Sequence, residues 1–111
     1  MVALYDAMLA AEWLTQRCAG VSLERFAADE TLQAAVERKL EVIGEALSRA
    51  ERADSTLVER VPDLRKVIGL RNVLAHGYDV IDSREIHLIV TTRVPELAMN
   101  LRELPGMKGV E

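Results

Sequence analysis

The stretch ETLQAAVERKLEVIGEALSRAER, residues 30–52, decides the fold. Apolar side chains recur in it every three or four residues, and they are Leu32, Val36, Leu40, Ile43, Leu47 and Ala50. This spacing places them on one face of a long α-helix, because an α-helix has about 3.6 residues per turn. The stretch therefore predicts a long amphipathic helix that packs against other helices.

The residues before this stretch predict a first long helix and a connector. Helical spacing of apolar residues runs from Val2 to about Cys18. The connector, residues 19–29, contains Ser22, which can cap one helical turn, and Phe26, which we expect to insert into the core.

The residues after the stretch predict a short turn and a third long helix. Asp54 or Ser55 can cap the turn. Pro62 suits the first position of the third helix, and Gly77 suits the position just beyond its end.

A last long helix completes the expected fold. It starts after a cap at Asp82 or Ser83, and Pro95 should kink it. We therefore expect an all-α antiparallel bundle of four long helices plus short turns. Residues 1–104 form a single domain and residues 105–111 a tail.

Composition agrees with one helical domain and excludes several function classes. The chain has 111 residues, 50% hydrophobic and 4% aromatic, so Leu, Val, Ile, Met and Ala must build the core. Its net charge of -4 gives no broad field that attracts nucleic-acid phosphates, so any such contact must be local. Asp6 and Glu12 interrupt the apolar N-terminus, which argues against a signal peptide or membrane span and for a cytoplasmic protein.

The sequence lacks the motifs of several common chemistries. It has no GxGxxG, no phosphate-binding loop, no HExxH and no di-iron spacing, and we expect neither a metal nor a cofactor. Cys18 is the only cysteine, so no internal disulfide can form. We interpret it as a small buried apolar residue rather than a nucleophile.

Chemically capable side chains concentrate in RNVLAHGYD, residues 71–79. Asn72 and His76 are four residues apart and share a helix face, and Tyr78 follows closely. Arg71 continues the apolar row of the third helix, so some anion must meet its guanidinium. That anion could be a carboxylate of the same chain, a partner's carboxylate or a phosphate held by two hydrogen bonds.

The candidate carboxylates in the same chain belong to a series on the long second helix. Glu37, Glu41 and Glu45 are spaced by four residues and repel one another. The simpler interpretation is a solvated edge. The alternative is that Glu45 is partly buried and pairs with Arg71.

His76 has a position that suits proton transfer on RNA. The negative end of a helix dipole favours its imidazolium form. Cleavage of RNA by its own 2′-OH needs a base, an acid and a cation for the extra charge at phosphorus, and it needs no metal. Two chains related by a two-fold axis near this helix end would supply Arg71 and His76 twice.

Spacing alone leaves other interpretations open. Arg71 can form a structural ion pair, and His76 can hydrogen-bond the free carbonyls at a helix end. A metal site formed by His76, Asp79 and Asp82 is a weaker alternative, because three mixed residues in a loop are a weak signal.

The motif RNVLAHGY resembles the R-x4-H-x-Y signature of the HEPN superfamily, and in particular of the HepT-like toxins. The similarity extends along nearly the whole chain. AVERKLEVIGEALSRA resembles the second helix of that family, VIGLRNVLAHGYDVID its third helix and following loop, and VPELAMNLREL the end of its last helix.

This resemblance implies a homodimeric bundle that cleaves RNA, such as tRNA or mRNA, without a metal. Arg71 and His76 carry over as catalytic residues at the dimer interface, and Asn72 as the residue that orients them. Tyr78 matches the tyrosine that a cognate minimal nucleotidyltransferase antitoxin modifies with AMP. AMP beside the cleft would block RNA by charge repulsion and occlusion.

The function expected from the sequence is therefore that of a toxin in a type VII-like toxin-antitoxin pair, which can assemble further with its antitoxin. The alternative is a non-catalytic HEPN module that binds a nucleotide or docks a nucleotidyltransferase. Binding that survives Arg71→Ala together with His76→Ala would favour the alternative.

Overall fold

The computed structural model describes residues 2–75 and 83–107, and of residues 70–75 it describes the backbone only. The described chain is all-α, as predicted. Its helices are α1 (Val2–Cys18), α2 (Leu23–Ala28), α3 (Glu30–Ala53), α4 (Leu57–Arg60), α5 (Leu64–Ala75), α6 (Ser83–Leu88), a π-helical turn (Ile89–Arg93) and α7 (Val94–Arg102). No helix among these described residues is both long and apolar enough to cross a membrane.

Helix α3 is the centre of the bundle. Leu32, Val36, Leu40, Ile43 and Leu47 are all buried, which confirms the apolar face predicted for this helix. Helices α1 and α5 both pack against α3, and α7 packs against α1. The long helices therefore enclose one core, as predicted.

The connector between α1 and α3 folds as the sequence indicates. The Ser22 Oγ accepts a hydrogen bond from the Arg25 N–H at 3.1 Å and starts α2. Asp29 then starts α3, since its Oδ1 accepts from the Leu32 N–H at 2.9 Å. Phe26 lies between these two caps and is buried, which confirms that it inserts into the core.

The third long helix begins later than predicted. Pro62 is not its first residue: α5 starts at Leu64, because Asp63 takes the left-handed φ of 61° and turns the chain before the helix. The Asp63 carbonyl then accepts from the N–H groups of Lys66 and Val67, at 3.0 and 3.1 Å. The predicted end at Gly77 and the predicted cap at Asp82 lie outside the described residues.

The last long helix adapts to Pro95 through a π-helical turn just before it. The Val94 N–H donates to the Ile89 carbonyl, five residues back, in place of the usual four. Pro95 has no N–H, and in a regular helix its ring would crowd the carbonyl of Thr91. The wider turn relieves this crowding, and it is the form that the predicted kink takes. The hydroxyl of Thr92 donates to the Leu88 carbonyl at 2.6 Å and satisfies part of this turn.

The packed part of the chain extends beyond Leu104. Gly106 has a φ of 85° and turns the chain back, so that Met107, which the sequence analysis assigned to the tail, is fully buried. Arg102 supports this return, because its Nη1 donates to the Met107 carbonyl at 3.4 Å. The same guanidinium binds both carboxylate oxygens of Glu12 on α1, at 2.8 and 2.9 Å.

Cys18 ends α1 inside the core. Burial raises the pKa of its thiol above its ordinary value, and the neighbouring Arg17 opposes that shift only in part. The buried and protonated thiol agrees with its interpretation as a small apolar residue.

We therefore expect Cys18 to react with Ellman's reagent at least about tenfold more slowly in the native protein than in guanidinium. The raised pKa also determines the direction in which stability changes with pH. Above about pH 9 the unfolded thiol loses its proton first, so the free energy of unfolding falls as pH rises. Rapid labelling of the folded protein at pH 8 would contradict this account.

Candidate functional site

Arg71 and Asn72 lie in the last described turns of α5, whose backbone is helical through Ala75. Seven residues separate Arg71 from Leu64, which is buried against the core. Two positions seven residues apart share one face of an α-helix. Position 71 therefore falls on the same side of the α5 backbone as Leu64.

The register between α3 and α5 places position 71 along α3. The Arg65 Nη2 lies 3.0 Å from the Glu51 Oε2, which joins the start of α5 to the end of α3. The two helices run antiparallel, so six residues forward on α5 correspond to about six residues back on α3. Leu40 on α3 lines a groove with Val67 and Gly69 on α5, so the end of α5 that carries position 71 lies toward the N-terminal half of α3.

Glu45, the predicted partner of Arg71, is exposed on α3. The partial burial that the ion-pair alternative expected of Glu45 is therefore wrong, and the solvated-edge interpretation holds for Glu45 but not for Glu37, which is half-buried. Glu41 is half-buried, and Arg38 on its own helix lies 3.6 Å from its carboxylate. The Arg71–Glu45 pair stays a prediction.

His76 and Tyr78, the other two predicted site residues, lie outside the described residues. The chain is described again from Ser83, which lines a small cavity together with Glu37 of α3. Glu37 therefore lies near the point where the described chain resumes after the segment that carries His76 and Tyr78.

The charge of α5 sets it apart from the rest of the chain. Between Leu64 and Ala75 it contains three cations, Arg65, Lys66 and Arg71, and no carboxylate. The whole protein has a net charge of -4. Two of these cations already have carboxylate neighbours, because Arg65 lies 3.0 Å from Glu51 and Lys66 lies 3.8 Å from Asp63.

His87 is a second histidine that the sequence analysis did not single out. Its Nε2 donates to the Val21 carbonyl at 2.7 Å, and its ring lies 5.7 Å from that of Phe26. This hydrogen bond holds α6 against the connector after α1. Helix α6 begins at Ser83, where the described chain resumes after the segment that carries His76 and Tyr78. A lone histidine on a six-residue helix gives no sequence signal for this role.

The described part of the chain holds no group of three or more metal-ligating side chains. The weaker alternative of a site at His76, Asp79 and Asp82 falls outside these residues.

The all-α bundle, with an Arg-x4-His motif beginning on the third long helix, defines a protein of the HEPN class. Residues 8–104 match the family described as "Ribonuclease HepT-like". The chain therefore belongs to the HepT-like ribonuclease family, and the matched range includes Arg71, Asn72, His76 and Tyr78.

Two curated proteins are similar to this chain over most of their length. A protein named "Putative RNase" from Caldanaerobacter subterraneus subsp. tengcongensis is 32% identical over 93 residues, which are 84% of this chain and 82% of that protein. Another protein with the name "Putative RNase", from Methanocaldococcus jannaschii, is 30% identical over 96 residues, 85% of each chain. No solved structure gives a significant match.

Proposed function

We propose that this protein is a metal-independent endoribonuclease that cleaves RNA with Arg71 and His76. The observation that carries the proposal is the family match over residues 8–104, because it includes the whole Arg-x4-His motif. The names of the two relatives support it further.

The proposed reaction is an internal transesterification. The ribose 2′-OH gives its proton to a base, and its oxygen attacks the adjacent phosphorus. The bond from phosphorus to the 5′-oxygen of the next nucleotide breaks, and that oxygen takes a proton from an acid. His76 acts as base or acid, and Arg71 stabilises the extra negative charge at phosphorus.

A dimer supplies what one chain lacks. One chain offers one His76 and one Arg71, whereas the reaction uses both a base and an acid. Two chains that meet about a two-fold axis near the end of α5 bring both pairs to one cleft. Asn72 orients these residues for the reaction.

We further propose that the protein is the toxin of a toxin-antitoxin pair. A minimal nucleotidyltransferase would transfer AMP to the Tyr78 hydroxyl and release pyrophosphate from ATP. The added phosphate would repel RNA from the cleft. Co-expression with such an enzyme should add the mass of one AMP group to the wild type and none to Tyr78→Phe.

The first test of the ribonuclease proposal uses two substrates of one sequence in EDTA, one RNA and one fully 2′-O-methylated. We expect the wild type to cut the RNA, to leave 2′,3′-cyclic phosphate and 5′-hydroxyl ends, and to leave the methylated strand intact. Cleavage of both strands would contradict the 2′-OH mechanism.

The outcome that favours the non-catalytic module is equally direct. Folded, dimeric protein with an unmodified Tyr78 would then leave every RNA intact while it still binds a nucleotide or a nucleotidyltransferase. Cleavage that disappears in EDTA and returns with Mg²⁺ would contradict the proposed metal independence but not the ribonuclease activity itself.

A further inference from the structure

A stripe of exposed apolar side chains runs along the outer side of α1. Val2, Leu9 and Trp13 are 76%, 43% and 37% exposed. They are spaced by seven and four residues, so they lie within about 40° of one another around the helix. The described residues expose six large apolar side chains, and because three of them form this stripe, exposed apolar surface is concentrated on α1. Contiguous apolar surface of this kind is typical of a contact site.

The stripe borders a groove between α1 and α3. The groove has a volume of about 440 Å³ and is lined by Asp6, Leu9, Ala10, Trp13, Lys39 and Val42. The Lys39 Nζ lies 5.0 Å from the centre of the Trp13 ring, and this cation–π contact holds the ammonium group at the Trp13 end of the groove. We call the groove and the stripe together the α1–α3 face.

The α1–α3 face is remote from α5 and α6, the helices that precede and follow residues 76–82. Val42 lies about 180° around α3 from Glu51, which pairs with Arg65 at the start of α5. Lys39 lies about 160° around α3 from Glu37, which lines a cavity with the start of α6. The α1–α3 face is therefore on the far side of α3 from both helices.

Asp6 and Lys39 are both half-buried in this groove. Among the described residues, the Asp6 carboxylate is paired with no donor and no cation, and the Lys39 ammonium contacts the Trp13 ring but no carboxylate. Removing charged groups from water is costly unless each is paired. The groove therefore gains from a partner that presents a cation to Asp6 and a carboxylate to Lys39.

The order of charges along α1 makes the α1–α3 face complementary to itself. Asp6 precedes Trp13 by seven residues, which is about 10 Å along the helix axis, and Lys39 lies beside Trp13. The negative and positive ends of the groove are therefore separated, with Leu9 between them. When a second copy is turned by 180° about an axis near Leu9, its α1 runs antiparallel, and each Asp6 comes opposite the Lys39 of the other copy.

The same charges favour a second copy over a nucleic acid. A nucleic-acid strand needs several cations along its phosphates, whereas the groove offers one carboxylate and one cation, which already contacts a ring. A two-fold contact instead uses both charges twice and covers both apolar stripes. Such a contact requires one patch to complement itself, and the order of Asp6, Leu9 and Lys39 meets this requirement.

We propose that the α1–α3 face joins two copies of this chain, with their α1 helices antiparallel about a two-fold axis near Leu9. The contact covers the apolar stripe and pairs Asp6 with Lys39 of the other copy. It is separate from the contact near the end of α5 that the proposed catalysis uses, and it does not rest on the ribonuclease function. Together the two contacts link more than two chains.

The first test reverses one charge at a time. Asp6→Lys and Lys39→Glu each create two like-charge pairs in the two-fold contact, so each should weaken self-association at least about tenfold. Glu24→Lys makes the same charge change on the exposed surface of α2 and should leave self-association unchanged. Light scattering over a range of protein concentrations measures the molar mass, and circular dichroism checks that each variant folds.

The second test mixes the two charge variants. A pair of one Asp6→Lys chain and one Lys39→Glu chain has opposite charges at both contacts, so the equimolar mixture should recover the self-association of the wild type. Mixing cannot repair a defect that lies within one chain. Recovery would therefore show that position 6 of one copy meets position 39 of the other.

A third test addresses the apolar stripe and keeps the proposal testable if a charge variant does not fold. Leu9→Asp places two carboxylates together at the two-fold axis and should also lower the molar mass. Met99→Asp makes a similar change at an exposed apolar residue of α7 and should match the wild type.

The possible results separate this contact from the ribonuclease function. If the wild type, Asp6→Lys and Leu9→Asp have the same molar mass, or if mixing restores nothing, the contact is overturned. Wild type that associates through α1 but leaves RNA intact supports the contact and contradicts only the ribonuclease function. A monomeric Asp6→Lys that no longer cuts RNA supports the contact through α1 and contradicts the one proposed at the end of α5.

Discussion

Arg71→Ala is expected to lower the rate constant of RNA cleavage by about 10²–10³-fold, which is the effect of removing one donor to the charge that develops in a transition state. Arg71→Lys should retain part of the activity, because lysine keeps the charge but not the two-point contact with a phosphate. Single-turnover assays in EDTA measure both variants against the wild type.

The competing hypothesis for Arg71 is a structural ion pair, and the same variants test it. If Arg71 serves only to pair with Glu45, Arg71→Ala and Glu45→Gln should lower the free energy of unfolding by similar amounts and leave RNA cleavage unchanged. Denaturant titration of both variants provides the comparison. A large loss of stability with full activity would contradict the catalytic role of Arg71.

Phe26→Ala is expected to reduce the free energy of unfolding by about 3–4 kcal/mol, which is a large part of the stability of a domain of this size. Phe26 is 1% exposed and contacts the His87 ring, and its carbonyl accepts from the Gln33 Nε2 at 2.8 Å. Removing the ring leaves a cavity between α2, α3 and α6. Denaturant-induced unfolding followed by circular dichroism measures the loss.

A matched surface variant separates this effect from the loss of an apolar side chain as such. Met99 on α7 is 69% exposed, so Met99→Ala should change stability by less than about 0.5 kcal/mol. Phe26→Leu should fall between the two. A loss below about 1 kcal/mol for Phe26→Ala would contradict the assignment of Phe26 to the core.

The sequence predicted those elements of the fold that depend on local periodicity and caps. The limits of α1, the buried face of α3, the cap at Ser22 and the burial of Phe26 all agree with the structure. In each case the residues that determine the element lie within about one helical turn of one another. Local spacing is then a sufficient guide.

The features that the sequence did not predict depend on the backbone or on distant contacts. The start of α5 is set by the left-handed turn at Asp63 rather than by Pro62. The distortion before Pro95 is a π-helical turn, which has no periodic signature of its own. The role of His87 depends on a carbonyl 66 residues away, at Val21.

The candidate site was predicted chiefly from its motif. The spacing of Arg71, Asn72, His76 and Tyr78 indicated a chemically capable helix end, but it left catalysis and a structural ion pair as alternatives. Family membership over residues 8–104 favours catalysis.

The measurement that tests the account most directly compares wild type and His76→Ala on the same end-labelled RNA in EDTA. The account predicts that the wild type cuts and leaves cyclic phosphate ends. His76→Ala should cut about 10²–10⁴-fold more slowly, although it is folded and has the same oligomeric state as the wild type. Equal cleavage by both proteins, or none by unmodified wild type, would contradict it.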